Sequence, residues 1–154
     1  MSGLESLYQE LILDHSKRPQ GKTLAKDEGA TDGIRSATSY QRNPICGDEI
    51  TLRVRVEDDG AVRDVTWDGA GCSISQASAS MLAALVAEED GMPRAEASAL
   101  IEGFREALRS RGEIPLDEEV FGDAAALSGV SKFTARVKCA MLAWVAFEDA
   151  LARA

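Results

Sequence analysis

Residues 50–67 read ITLRVRVEDDGAVRDVTW. Apolar and polar side chains alternate with a period of two along residues 50–56, which is typical of an antiparallel strand with one buried face. The acidic tripeptide ending in glycine at 58–60 predicts a tight turn, so residues 61–67 are the expected hairpin partner. Residues 34–41, which are small and polar, are a weaker strand candidate. The sequence therefore predicts a small three-stranded antiparallel sheet.

Segments with helical character surround the hairpin. Their apolar residues form the stripe of an amphipathic or buried helix, and the segments are 4–15, 75–88, 94–111 and 134–152. We expect loops at 19–33 and 113–130, the second with one short helical turn at 123–127. Strands followed by helices predict an α+β fold in which the small antiparallel sheet packs against a layer of helices.

Length and charge restrict the function. A chain of 154 residues predicts a single domain over 1–154. The formal net charge of −9 disfavours binding to nucleic acid or to an anionic membrane, because both require clustered Lys and Arg. Apolar stretches fall short of the roughly 20 residues that a bilayer requires, and the first residues lack the features of a secretory signal. We therefore expect a cytoplasmic protein that binds neither nucleic acid nor membrane.

The three cysteines are the candidate chemical groups. An odd number of cysteines cannot complete a disulfide framework, which favours reduced thiols in a cytosolic compartment. Cys46 precedes a predicted strand, Cys72 lies where a strand passes into a helix, and Cys139 lies in the last helix. In the predicted fold all three lie at or near one rim of the sheet. Three thiolates with one carboxylate are sufficient for a tetrahedral Zn²⁺ site.

Asp48 is the candidate fourth ligand. Residues at i and i+2 of an extended segment point to the same side, so Cys46 and Asp48 can reach one ion across Gly47. Gly47 supplies the backbone freedom for a bend, and a carboxylate should exchange more easily than a thiolate. The alternative is that Asp48 simply begins the strand.

Each remaining candidate has a structural alternative. Cys139 would also fit as a small buried apolar residue, although Arg136 on the same helical face and the adjacent Lys138 favour a thiolate. Cys72 at the start of a helix gains from the helix dipole. His15 is interpreted as a solvated cap at the C-terminus of the first helix and is not assigned to the metal.

Three sequence blocks carry a resemblance to a known family. They are NPICGD at 43–48, GCSISQASASM at 71–81, and GVSKFTARVKC at 129–139 followed by Trp144. Together they resemble the SufU/IscU family of iron–sulfur cluster assembly proteins, which is similar to the N-terminal part of NifU. The resemblance covers nearly the whole chain and implies the same α+β fold.

Two features resemble the SufU branch in particular. Lys138 stands where IscU-type scaffolds carry a histidine, and the interval between Cys72 and Cys139 is longer than in those scaffolds. The SufU branch implies a zinc-bound sulfurtransferase that works with the cysteine desulfurase SufS, a pyridoxal phosphate enzyme, upstream of the SUF scaffold proteins. With its acidic surface the chain is expected to be a monomer that docks on the larger enzyme.

The resemblance also implies roles for individual residues. Cys46 matches the sulfur-accepting cysteine, and Cys46, Asp48, Cys72 and Cys139 match the zinc ligands. Arg136 matches a functionally important arginine beside the site, where it would stabilise a released thiolate or persulfide. The implied mechanism is a ligand exchange in which a histidine of SufS replaces Cys46 and frees it to take the sulfur.

Two other functions use the same thiols. The chain would also fit an iron–sulfur cluster assembly scaffold, or iron carrier, that is not an enzyme and that binds iron or a cluster through the three cysteines. A purely structural zinc is the third interpretation, under which the metal-free protein would unfold. Visible absorbance separates the first alternative from a zinc protein, which is colourless.

Overall fold

The structure is a computed structural model that describes residues 3–24 and 35–154. Part of the predicted loop at 19–33, and the first residue of the strand predicted at 34–41, therefore lie outside the described residues. In chain order the elements are α1 (Gly3–Lys17), β1 (Arg35–Asn43), β2 (Asp48–Val56), β3 (Val62–Ala70), α2 (Ser73–Ala87), α3 (Arg94–Arg109), α4 (Glu118–Phe121), a 3₁₀ helix (Gly122–Lys132) and α5 (Thr134–Arg153).

The three strands form one antiparallel sheet in the order β1-β2-β3. The predicted alternation is present in β2, where every second side chain is buried: Ile50, Leu52, Val54 and Val56. Leu52 lies opposite Ser39 on β1 and Trp67 on β3, so one face of the sheet is continuous across all three strands. The predicted α+β fold with a three-stranded antiparallel sheet is confirmed.

Two helices cover the buried face of the sheet. α5 packs on β1 and β2, α2 packs on β3, and the two helices also pack against each other. A third helix, α3, also contacts α5: Trp144 stacks on Phe104 of α3 with ring centroids 4.1 Å apart. None of the helices in the described part of the chain is long and apolar enough to span a bilayer.

The segment expected to be a loop at 113–130 is more ordered than predicted. It contains α4 and most of the 3₁₀ helix, and the short helical turn predicted at 123–127 lies within the latter. Phe121 packs 6.2 Å from Phe104 and 6.3 Å from Trp144, measured between ring centroids. The sequence lacks a 3.6-residue period here because contacts with the core, rather than one amphipathic face, hold the segment in place.

The interpretation of His15 as a solvated cap is wrong. The side chain is 3% exposed, and its Nδ1 lies 2.6 Å from Ser80 Oγ while its Nε2 lies 2.9 Å from Asp123 Oδ2. Ser80 Oγ also accepts the backbone N–H of Gln20 at 2.8 Å. The last turn of α1 packs against α2, so His15 faces the interior. Its two hydrogen bonds therefore join α1 to α2 and to the 3₁₀ helix.

Candidate metal centre

The structure brings the predicted ligand residues to one edge of the sheet. One ligand atom from each of Cys46, Asp48 and Cys139 lies within 4.8 Å of the other two. The sulfur atoms of Cys46 and Cys139 are 3.7 Å apart. Cys72 lies beside this group: its Sγ is 3.9 Å from Asp48 Oδ2, but it is not one of the three residues whose ligand atoms all lie within 4.8 Å of one another. Three predicted ligands that are far apart in the sequence thus meet at one place, and the fourth, Cys72, adjoins them.

The turn between β1 and β2 presents Cys46. The backbone N–H of Gly47 donates to the carbonyl of Asn43 at 2.8 Å, and this hydrogen bond closes the turn. Gly47 has φ of +74°, a left-handed conformation that favours glycine. The amide oxygen of Asn43 accepts the N–H of Ile45 at 3.2 Å. This closed turn leaves Cys46 exposed to solvent, next to an Ile45 side chain that is 77% exposed.

Asp48 is a buried carboxylate at the centre of the group. It is fully buried, and its Oδ1 accepts the backbone N–H of Cys72 at 2.8 Å. Within the described residues no Lys or Arg side chain pairs with it. Burying a carboxylate without a countercharge is costly, so this position favours a bound cation.

Gly71 makes room for that carboxylate. A Cβ at this position would lie 2.3 Å from Asp48 Oδ1 and 2.7 Å from Ser75 Oγ, far inside van der Waals contact. The backbone just before Cys72 can therefore approach Asp48 only because residue 71 has no side chain. Ser75 Oγ in turn donates to the carbonyl of Cys72 at 3.0 Å, which fixes the first turn of α2.

Cys139 lies on the buried face of α5. Burial, followed by hydrogen bonds with Asp48, Cys72 and Cys46, raises the pKa of the Cys139 thiol far above its usual value. Cys139 is only 2% exposed, so burial opposes the effect that Arg136 and Lys138 are expected to have on this thiol. A divalent cation bound to the sulfur would stabilise the negatively charged thiolate of Cys139 despite its burial.

Arg136 lies outside the cluster, in the first turn of α5. Its side chain is exposed, and its guanidinium makes no hydrogen bond or ion pair within 3–24 and 35–154. Phe133, which precedes α5, is 63% exposed. Ile45, Phe133 and Arg136 are all exposed and lie within six residues of Cys46 or Cys139 in the sequence; they are called the rim, and the guanidinium is available to a ligand or a partner.

Asn43 was missed as a candidate site residue. It pairs in register with Asp48, is 5% exposed, and its Nδ2 has no hydrogen-bond partner among the described residues. A buried donor without a partner is costly, so the amide is suited to an acceptor that binds at this edge. The signal was present in the sequence, because Asn43 begins the NPICGD block.

The fold and the site together define a class of protein. It is an α+β domain in which three cysteines and an aspartate, from the β1–β2 turn, the start of α2 and the first half of α5, meet at one edge of the sheet. The soft sulfur donors and the oxygen donor suit zinc or iron rather than magnesium or calcium.

The chain belongs to the family of NifU-like N-terminal domains, whose sequence pattern matches residues 7–140. It is 39% identical over 153 residues to the iron-sulfur cluster assembly scaffold protein IscU of Streptococcus pyogenes serotype M1, covering 99% of this chain and 87% of that protein. It is 36% identical over 152 residues to the zinc-dependent sulfurtransferase SufU of Bacillus subtilis (strain 168), covering 99% and 94%. The expected membership of the SufU/IscU family is confirmed.

A solved structure shares the fold. It is the crystal structure of a candidate iron-sulfur cluster assembly scaffold protein for the SUF system from Fervidobacterium islandicum AW-1. The two chains superpose with a TM-score of 0.70 at 31% sequence identity, over 96% of this chain and 98% of the other. Fold and family therefore place this protein among the SufU/IscU iron–sulfur cluster assembly proteins.

Proposed function

We propose that this protein is a zinc-dependent sulfurtransferase that accepts sulfur from the persulfide of a SufS-type cysteine desulfurase. The observation that carries the proposal is the difference in exposure within the cluster. Cys46 is exposed at the end of a turn, whereas Asp48 and Cys139 are buried and Cys72 is half-buried. One sulfur can thus meet a partner while the other three groups stay in the protein. The similarity to a protein named zinc-dependent sulfurtransferase supports the same choice.

The donor set fits zinc. Cys46, Asp48, Cys72 and Cys139 would hold the ion, and among the described residues no Lys or Arg side chain pairs with the buried carboxylate of Asp48 or the buried thiol of Cys139. Bound Zn²⁺ would keep the thiols deprotonated near neutral pH and has no redox chemistry that would oxidise them. The proposed site therefore protects a reactive thiolate until a partner arrives.

Cys46 performs the transfer. Its thiolate attacks the outer sulfur of the partner's cysteine persulfide, so a new S–S bond forms at Cys46 while the S–S bond of the partner breaks. The partner's cysteine leaves as a thiolate with the electron pair of the broken bond. Cys46 is left as a persulfide, and no external oxidant or reductant is needed. The exposed guanidinium of Arg136 stabilises the negative charge on this sulfur.

The rim around the cluster suits contact with a larger protein. Ile45 and Phe133 are exposed apolar side chains that lie close in sequence to Cys46 and Cys139. In a chain whose net charge is −9, three exposed basic residues lie within four positions of Cys46 or Cys139 in the sequence: Arg42, Arg136 and Lys138. A basic rim with apolar contacts favours a partner whose surface is acidic around its own active cysteine.

The test combines metal analysis with desulfurase turnover. Purified protein should contain one zinc per chain and should increase cysteine desulfurase turnover by a SufS-type enzyme. Cys46→Ala should retain part of its zinc, held by Asp48, Cys72 and Cys139, and should lose the stimulation. Cys46→Ser is the matched variant, since it keeps nearly the same side-chain size and offers an oxygen ligand in place of the sulfur, yet cannot carry a persulfide. Undiminished stimulation by either variant would contradict the proposal.

A cluster scaffold is the second candidate function. It is favoured by the similarity to a protein named iron-sulfur cluster assembly scaffold protein and by the three sulfur atoms, which are also ligands for iron. Protein purified without oxygen, or reconstituted with ferrous iron and sulfide, would then show visible absorbance that depends on Cys46, Cys72 and Cys139. A colourless zinc protein that stimulates the desulfurase supports the transferase instead.

A further inference from the structure

Two of the candidate ligands, Cys72 and Cys139, belong to different helices. Cys72 lies at the start of α2, where its N–H is held by Asp48. Cys139 lies on α5, and its thiol contacts Cys46 and the carbonyl of Ala135 in its own helix. The position of Cys139 relative to Cys72 therefore depends on how α5 is seated against α2.

A buried hydroxyl joins the two helices beside Cys139. Ser78 on α2 is fully buried, and its Oγ–H donates to the backbone carbonyl of Ala140 at 2.6 Å. The indole N–H of Trp144 donates to the same Oγ at 3.1 Å. Ala140 directly follows Cys139, and Trp144 is about one turn further along α5. Ser78 therefore fixes the turn of α5 that directly follows Cys139.

Small side chains make up much of α2, and they fix the position of α5 less strongly than large ones would. Nine of the fifteen residues in Ser73–Ala87, SISQASASMLAALVA, are serine or alanine. Helices with small side chains lack the large ridges that fit into the grooves of a neighbour and fix its register. A buried polar contact can specify one register where apolar contacts alone permit several.

We propose that Ser78 is a positioning residue that sets the distance of Cys139 from Cys72 and Asp48. This inference rests on the proposed zinc site. A shift of α5 by one residue moves its backbone by about 1.5 Å along the helix axis. Zinc–sulfur bonds of about 2.3 Å tolerate deviations of only about 0.2 Å. Without the hydrogen bonds of Ser78, the cysteine would be held in place less accurately than the metal requires.

Ser78→Ala and a matched control variant test this role. Ser80→Ala changes a second fully buried serine of α2, whose hydroxyl contacts His15 and the N–H of Gln20 instead of α5. Zinc affinity is measured by competition with a chromophoric chelator, at a temperature where circular dichroism shows each variant to be folded. Ser78→Ala should bind zinc about 10–100-fold more weakly than wild type, as for other residues that orient metal ligands, and Ser80→Ala should match wild type.

Trp144→Phe refines the comparison. This variant removes the indole N–H but retains an aromatic ring against Phe104 and leaves the bond from Ser78 to Ala140 intact. Its zinc affinity should lie between those of wild type and Ser78→Ala. Equal losses in Ser78→Ala and Ser80→Ala, or no loss in Ser78→Ala, would overturn the proposal.

A second measurement needs no metal. The metal-free proteins are treated with diamide, and the rate of disulfide formation between Cys46 and Cys139, whose sulfurs lie 3.7 Å apart, is followed by mass spectrometry. The rate should fall several-fold in Ser78→Ala and stay unchanged in Ser80→Ala; an unchanged rate in Ser78→Ala would count against the role of Ser78. If wild type binds no zinc, the proposed function fails, while these rates still decide the role of Ser78.

Discussion

The backbone N–H of Cys72 donates to Oδ1 of Asp48 at 2.8 Å, which joins the first residue of β2 to the start of α2. The other carboxylate oxygen of Asp48 faces the sulfur of Cys72 at 3.9 Å. Oδ1 thus stabilises the fold, and Oδ2 is available as a metal ligand beside the sulfur of Cys72. This division explains how a fully buried carboxylate can be both part of the fold and a ligand.

Asp48→Asn separates these two roles. The amide oxygen can still accept the N–H of Cys72, but the negative charge is lost. Zinc affinity should therefore fall by about tenfold or more, while the free energy of unfolding of the metal-free protein stays equal to that of wild type or exceeds it, because a buried charge has been removed. Chelator competition and urea unfolding measure the two quantities.

Asp149→Asn is the control for that experiment, because Asp149 is exposed and distant in sequence from the ligands on its helix. Its zinc affinity should equal that of wild type. A metal-free Asp48→Asn protein that is much less stable than wild type would show that the charge itself supports the fold, contrary to this account.

Gly71→Ala should damage the site by crowding. The new Cβ would lie 2.3 Å from Asp48 Oδ1, so either the backbone or the carboxylate must move. We expect a loss of about 1–3 kcal/mol in the free energy of unfolding together with weaker zinc binding. Gly129→Ala is the matched control, since a Cβ there has no atom within 4 Å, and it should behave as wild type. Equal behaviour of the two variants would contradict the proposed close approach.

His15→Ala should destabilise the fold without changing the metal site. It removes a buried imidazole and leaves the hydroxyl of Ser80 without one of its partners, which costs about 1–3 kcal/mol. Urea unfolding measures the loss, and Gln9→Ala, at an exposed position of α1, provides the control. A large decrease in zinc affinity on His15→Ala would argue against a purely structural role.

The stability of the α5–β1 contact should depend on pH. Hydrogen bonds from Ser39 and then from Arg153 hold the pKa of Asp149 below its usual value of 3.8. A lowered pKa in the folded state gives stability that is present above pH 3.8 and is lost as the pH falls through the folded-state value. Wild type should therefore melt at a higher temperature than Asp149→Asn at neutral pH. The difference should vanish in acid, and a difference that persists there would refute the assignment.

The sequence predicted those parts of the fold that depend on local patterns. Strand β2 was recognisable because its buried residues alternate strictly, and its turn to β3 contains Gly60. The convergence of Cys46, Cys72 and Cys139 was predictable because each lies near the end of an element or in the first half of α5. Membership of the family followed from blocks of residues around these same positions.

Other features depend on contacts between distant segments and were not predictable locally. The orientation of His15 is set by the packing of α1 on α2, whereas its charged neighbours suggested a surface position. Burial, which the sequence does not report, is the largest cause that raises the pKa of the Cys139 thiol. Phe121 orders the segment after α3 through its contacts with Phe104 and Trp144, without any helical period.

The most direct measurement is the position of the transferred sulfur. Zinc-loaded protein is incubated with a SufS-type desulfurase and cysteine, alkylated, digested and analysed by mass spectrometry. The account predicts one additional sulfur atom on Cys46, none on Cys72 or Cys139, and no transfer to Cys46→Ser. Sulfur found on Cys139, or a protein that gains no sulfur while stimulating turnover, would contradict it.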